Sequence, residues 1–199
     1  MPPTHPIRSV SFDTSFLLKL WPAVDKSLKL LGRDMVPCFV TSTVLSELEQ
    51  LKVWRRIEPE IYHLAMQRWH RVGAKPIDFH NRLLESEIGK QCLLSMEAHH
   101  GVKKDDIQND CSIVVQALEG HVDVFLSEDF HFTSRITTDV IDDIEHGACR
   151  EFHMMCADEL HAMNATTFLR VYARRAIDLE LLQSLMQGVR KPGKRLGRE

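Results

Sequence analysis

Ser9-Val10-Ser11-Phe12-Asp13-Thr14-Ser15 sets an acid directly behind a short hydrophobic run and directly ahead of two hydroxyl residues. Three later strings also tie an acid to a hydrophobic segment: Ser42-Thr43-Val44-Leu45-Ser46-Glu47-Leu48-Glu49, Gln108-Asn109-Asp110-Cys111-Ser112-Ile113-Val114 and Phe125-Leu126-Ser127-Glu128-Asp129-Phe130. Acids at the ends of buried strands, or on the adjoining helix ends, can converge at one edge of a parallel sheet, where ligand sites of open α/β sheets form. Together they would make a hard-oxygen metal site.

Working outward, residues 7–12 alternate like a short strand, and Asp13 opens an amphipathic stretch with Phe16, Leu17, Leu18 and Leu20. After Gly32, the segment 35–41 reads as a second strand. Thr41, Ser42 or Thr43 is positioned to cap a helix carrying Val44, Leu45, Leu48 and Leu51, with Glu47 in its first turns and Glu49 facing elsewhere. Residues 54–100 read as a helical excursion, with a fresh start at Glu58-Pro59 and a break between helices at Gly73-Ala74-Lys75-Pro76.

Asp105 or Asp106 then caps a helix with Ile107, Cys111, Val114, Val115 and Leu118 at helical spacing, and Asp110 lies near its beginning. Gly120 closes that helix, and 122–126 is an apolar run short enough for a buried parallel strand. A last strand is expected within 152–156, a terminal helix around 167–189, and a flexible basic tail over 190–199. Strands separated by helical segments predict an α/β domain with a central, mostly parallel sheet covered on both faces. The expected organisation is one unit over 1–165 including the excursion 54–100, with the helix within 166–189 packed on it.

The bulk composition excludes some classes. A chain of 199 residues with 44% hydrophobic content suits one domain with additions, and a formal charge of −3 gives no global basic field. Five cysteines without a Cys-x-x-Cys pair argue against both a disulfide framework and a thiolate zinc site. No apolar run approaches the ~20 residues that cross a bilayer, and no signal-peptide pattern opens the chain. The expectation is a cytoplasmic protein with no membrane attachment.

Asp13, Glu47, Asp110 and Asp129 are therefore the candidate metal-holding acids. Brought within a few ångströms they repel, so without an ion some would hold protons. Oxygen-only donors favour Mg2+ or Mn2+ over zinc, and such ions lower the pKa of a bound water beside a phosphodiester. Hydroxyls at Thr14, Ser15 and Ser127, with Asn109, are placed to orient these carboxylates as supporting residues.

This ordered set resembles the PIN-domain nucleases. Phe12-Asp13-Thr14-Ser15 resembles the strand-end Asp of their first motif, Glu47 the helical acid of the second, and Asp110, followed by Ile113 and Ala117, the helical Asp motif. Leu126-Ser127-Glu128-Asp129-Phe130 resembles the acidic strand end that follows. Asp105 and Asp106 compete with Asp110 for the third position; Asp110 is preferred because its distance to the 127–129 strand end suits the family pattern. The resemblance implies a three-layer α/β/α fold with a helical insertion, and a Mg2+- or Mn2+-dependent endoribonuclease leaving 5′-phosphate and 3′-hydroxyl ends. It also implies single-stranded RNA as substrate and, for a VapC-type toxin, an antitoxin protein as partner, with homodimerisation. The chain is longer than a compact toxin of that type through 54–100 and its C-terminal extension.

Basic candidates for RNA phosphates are Lys103 and Lys104, the pairs Arg55-Arg56 and Arg68 with Arg71, and Arg190, Lys191, Lys194 and Arg195 of the tail. Trp54 and Trp69 are candidate base-stacking residues or helix packing, and His131 stands beside Asp129. The histidines do not assemble a zinc motif in sequence, since His99-His100 diverge on a helix and His63 and His70 have no cysteine pair nearby. Two other readings stay open: a non-cleaving RNA- or protein-binding module, and a haloacid-dehalogenase-like phosphatase. The latter is weakened by Ser15, which stands where its second Asp would fall.

Overall fold

The computed structural model describes residues 4–77, 90, 92–95, 97, 104–152 and 159–188. Val10–Phe12 forms the central strand, β2, following β1 (Thr4–Pro6), and all three of its residues are buried, as a strand covered on both faces requires. β2 pairs in parallel with β3 (Cys38–Thr41) on one side and with β5 (Val124–Leu126) on the other. β4 (Lys75–Ile77) adds outside β3 and β6 (His161–Met163) outside β5, so the sheet runs β4-β3-β2-β5-β6 with every pairing parallel.

Helices flank this sheet, an arrangement compatible with three layers. They are α1 (Thr14–Leu18), α2 (Pro22–Arg33), α3 (Ser42–Val53), α4 (Pro59–Arg71), α5 (Lys104–Glu119), α6 (Phe130–Thr133), α7 (Arg135–Phe152), α8 (Ala165–Val171) and α9 (Leu179–Gly188). A second, two-stranded sheet pairs β1 antiparallel to β7 (Ala176–Asp178). The core is continuous across the sheet, with Phe12, Phe16, Leu28, Leu48, Val115, Phe125, Phe132 and Phe168 all buried.

Strand ends hand over to helices through side-chain caps. Asp13 accepts from Ser15 N–H to start α1, Thr41 from Val44 N–H to start α3, Asp129 from His131 N–H to start α6, and Asn164 from Thr167 N–H to start α8. Each cap satisfies a backbone donor that the helix leaves unpaired. Two of the four caps are acids at the same edge of the sheet.

Several expectations need correction. The stretch after Asp13 divides into α1 and α2, because Lys19-Leu20-Trp21 leaves the helix, with Leu20 and Trp21 exposed, before Pro22 restarts it. The excursion is not wholly helical: Lys75–Ile77 joins the main sheet as an edge strand, where Pro76 forfeits no ladder bond that a central strand would need. Of the strand expected within 152–156, Phe152 belongs to α7 and 153–156 lie outside the described residues, while β6 at His161–Met163 supplies an edge strand of the main sheet that was not expected. The expected terminal helix is α8, β7 and α9, broken at Arg174 and Arg175, which both adopt positive φ. Asp105 and Asp106 fall inside the first turn of α5. Cys149 is disulfide-bonded, while Cys38, Cys92 and Cys111 are free and buried.

Candidate functional site

In sheet order the chain builds β2, β3 and β4 outward to one side and β5 and β6 to the other. The switch between the two directions falls between β2 and β5, where a crevice opens beyond the strands' carboxyl ends. A pocket of about 300 Å³ lies there, lined by Asp13, Thr14, Ser15, Leu18, Glu47, Asn109, Asp110, Asp129 and Phe132. All four candidate acids and three of the four supporting residues line it. The fourth, Ser127, stands directly behind Asp13.

Asp13 is buried, and one of its oxygens is held by three donors: Oδ2 accepts from Ser15 N–H at 3.1 Å, Ser15 Oγ at 2.5 Å and Ser127 Oγ at 2.9 Å. Each hydroxyl carries one proton, so with both directed to Asp13 their oxygens serve as acceptors. Ser15 Oγ takes Glu128 N–H at 3.0 Å, and Ser127 Oγ takes Asp129 N–H at 3.0 Å. The loop after β5 is thereby relayed through two serines onto Asp13. Burial raises the Asp13 carboxyl above its usual range, and the serine hydrogen bonds oppose that rise.

Glu47 is half-buried on α3, and its Oε2 accepts from Thr14 Oγ1 at 2.5 Å. Asp129 is partly exposed, and its Oδ1 accepts from His131 N–H at 2.8 Å with His131 Nδ1 at 3.5 Å. Asp110 is half-buried and Asn109 exposed on α5. A polar contact sets α3 against α5: Thr43 Oγ1 lies 2.9 Å from Ser112 Oγ, and Ser42 Oγ accepts from Gln116 Nε2 at 3.2 Å. Thr43 and Glu47 share one face of α3, so this contact aligns Glu47 with the helix bearing Asp110. Sequence reading missed these residues, whose only signal is the i, i+4 spacing of Ser112 and Gln116.

The two acids of Ser127-Glu128-Asp129 are sorted by the turn. Asp129 lines the pocket, whereas Glu128 Oε1 accepts Ala165 N–H at 2.8 Å at the start of α8. On α3, Glu49 points away from the pocket and accepts the Tyr62 hydroxyl. Among the described residues, no three of the four acids bring carboxylate oxygens mutually within 4.8 Å. A magnesium site does not require three to converge, because magnesium usually keeps several waters and takes only one or two carboxylates directly.

The basic candidates fare differently. Lys103, Arg190, Lys191, Lys194 and Arg195 lie outside the described residues, and Lys104 is the first residue of α5. Arg68 is no surface cation: it is 1% exposed, gives Nη1 to the carbonyls of Leu17 and Lys19 at 2.7 Å each, and pairs with Asp25 at 3.1 Å. It closes the carbonyl end of α1 from α4 and is corrected to a structural residue. Trp69 packs against the core and donates Nε1–H to Ala74 O at 2.6 Å, while Trp54 is exposed with the Arg56 guanidinium over its ring.

In comparison with known proteins, no family model matches the chain, and neither a curated protein nor a solved structure matches it significantly. Among the described residues, no helix is long and apolar enough to cross a membrane.

Proposed function

We propose that this chain is a PIN-like, Mg2+- or Mn2+-dependent endoribonuclease, with Asp13, Glu47, Asp110 and Asp129 holding the ion. The observation that carries this reading is the meeting of four acids from distant parts of the chain in one crevice at the switch point of a parallel sheet. When bound, the cation supplies Lewis acidity toward a phosphate oxygen and a more acidic water. The protein's part is orientation. Ser15 and Ser127 fix the Asp13 carboxylate, Thr14 fixes Glu47, and the His131 amide fixes Asp129.

The test is cleavage of a single-stranded RNA library with Mn2+ and analysis of the new ends. Loss of cleavage in Asp13→Asn and in Glu47→Gln, with 5′-phosphate products from the unaltered chain, supports the reading. Full activity in Asp13→Asn overturns it. The separation of the acid oxygens favours a second reading, a non-cleaving RNA-binding module. Its signature is RNA binding in chelator that Mn2+ never converts to cleavage. A toxin role, and an antitoxin that masks the acids with a basic side chain, is the narrower form of the nuclease proposal.

A further inference from the structure

A second cluster lies at the opposite edge of the sheet. His161 is the first residue of β6, Glu159 precedes it by two, and His5 is the middle residue of β1. One donor atom from each, an imidazole nitrogen from His5 and His161 and a carboxylate oxygen from Glu159, lies within 4.8 Å of the others. The rings of His5 and His161 meet edge to face with centroids 5.1 Å apart. Both Nε2 atoms are buried and make no hydrogen bond. Their nearest acidic oxygens are beyond hydrogen-bonding reach, at 3.9 Å on Asp123 from His5 and 3.6 Å on Glu159 from His161. Buried ring nitrogens without a partner are costly, so such atoms are unusual unless a ligand satisfies them.

We infer that His5, Glu159 and His161 form a binding site for a borderline divalent cation of the zinc class, separate from the acidic pocket. Two imidazole nitrogens and one carboxylate suit zinc, cobalt or nickel better than magnesium. Three protein donors leave a fourth tetrahedral position to water. Asp123 does not compete, because its oxygens are engaged by the Arg8 guanidinium and by the backbone N–H groups of Arg8 and Ser9. An ion has a way in: Glu159 is exposed, and with His161 it lines a cavity of about 510 Å³. Bound there, the ion ties the β1–β7 ribbon to the main sheet.

The experiment uses the full chain without a histidine tag, stripped with chelator and titrated with Co2+ in excess Mg2+. The expected result is one equivalent of Co2+ with the intense visible absorption of a tetrahedral site, displaced by Zn2+, and a rise in melting temperature on Zn2+ addition. Glu159→Gln should weaken Co2+ binding by at least roughly tenfold, and His161→Gln should abolish the absorption. Because Glu159 is exposed, its variant keeps the fold and decides the matter if the histidine variant does not fold. Asp129→Asn, in the acidic pocket, should leave the absorption unchanged. Absence of Co2+ absorption in the unaltered chain overturns the inference, as does full-affinity binding in Glu159→Gln.

Discussion

Ser127 Oγ donates to Asp13 Oδ2 at 2.9 Å, joining residues 114 positions apart at the carboxyl ends of adjacent parallel strands. The bond makes the orientation of the buried acid depend on the register of β5 against β2. The acid is thereby held from the neighbouring strand as well as by Ser15 of its own turn.

Removing that support should cost function more than fold. Ser127→Ala is expected to lower Mn2+-dependent RNA cleavage by about 10- to 100-fold, the usual effect of losing a group that orients a metal ligand. Asp13→Asn should abolish cleavage and yet raise metal-free stability by about 1 kcal/mol, because a buried charge is relieved. Cleavage rates and melting curves recorded in chelator check both. A melting temperature that falls in Asp13→Asn contradicts the second.

Arg68 predicts the opposite pattern. Arg68→Met leaves the Leu17 and Lys19 carbonyls without their donor and should destabilise the protein by about 2–4 kcal/mol. Asp25→Asn should cost far less, since Asp25 is partly exposed. Urea denaturation distinguishes them. RNA affinity of the folded Arg68 variant should stay unchanged, because this cation has no path to a phosphate.

At the other edge, Asp123 is buried and joins the starts of β2 and β5 by accepting from Arg8 and Ser9. Asp123→Ala is expected to cost roughly 2–4 kcal/mol by leaving the backbone N–H groups of Arg8 and Ser9 without their acceptor. Arg8→Ala should cost less, since its side chain is mostly exposed and the backbone bonds persist. Equal losses in the two variants would contradict this ordering.

Burial and the neighbouring His5 lower His161 from the ordinary 6.5 to about 4, against the opposing pull of Glu159 and Asp123. Between those values the unfolded chain binds a proton that the folded chain refuses, so stability rises with pH across the window. The stability is full above about 6.5 and declines as the pH falls toward 4. The decline should amount to roughly 3 kcal/mol in the metal-free protein. Replacing the imidazole, as in His161→Gln, should flatten that slope in denaturation measured from pH 4 to 7.

Much of the architecture was legible because burial on both faces demands apolar runs. Val124–Leu126 stands out for that reason, Val10–Phe12 by the alternation of 7–12, and the acids behind them are conspicuous. The edge strands were not legible. Lys-Pro-Ile at 75–77 and His-Ala-Met at 161–163 are three residues long with little β signature, so their pairing is decided by tertiary context. Arg68 was misread because a lone arginine on an amphipathic helix carries no sign of the carbonyls awaiting it. The histidine cluster escaped because His5 and His161 come from opposite ends of the chain.

The ribbon of Thr4–Pro6 against Ala176–Asp178 pairs two segments that are far apart in the sequence. During synthesis, the first of these segments leaves the ribosome long before its mate exists. The strand Thr4–Pro6 must wait undocked until Ala176–Asp178 has been made, so truncation shortly before Ala176 should leave it without its partner strand.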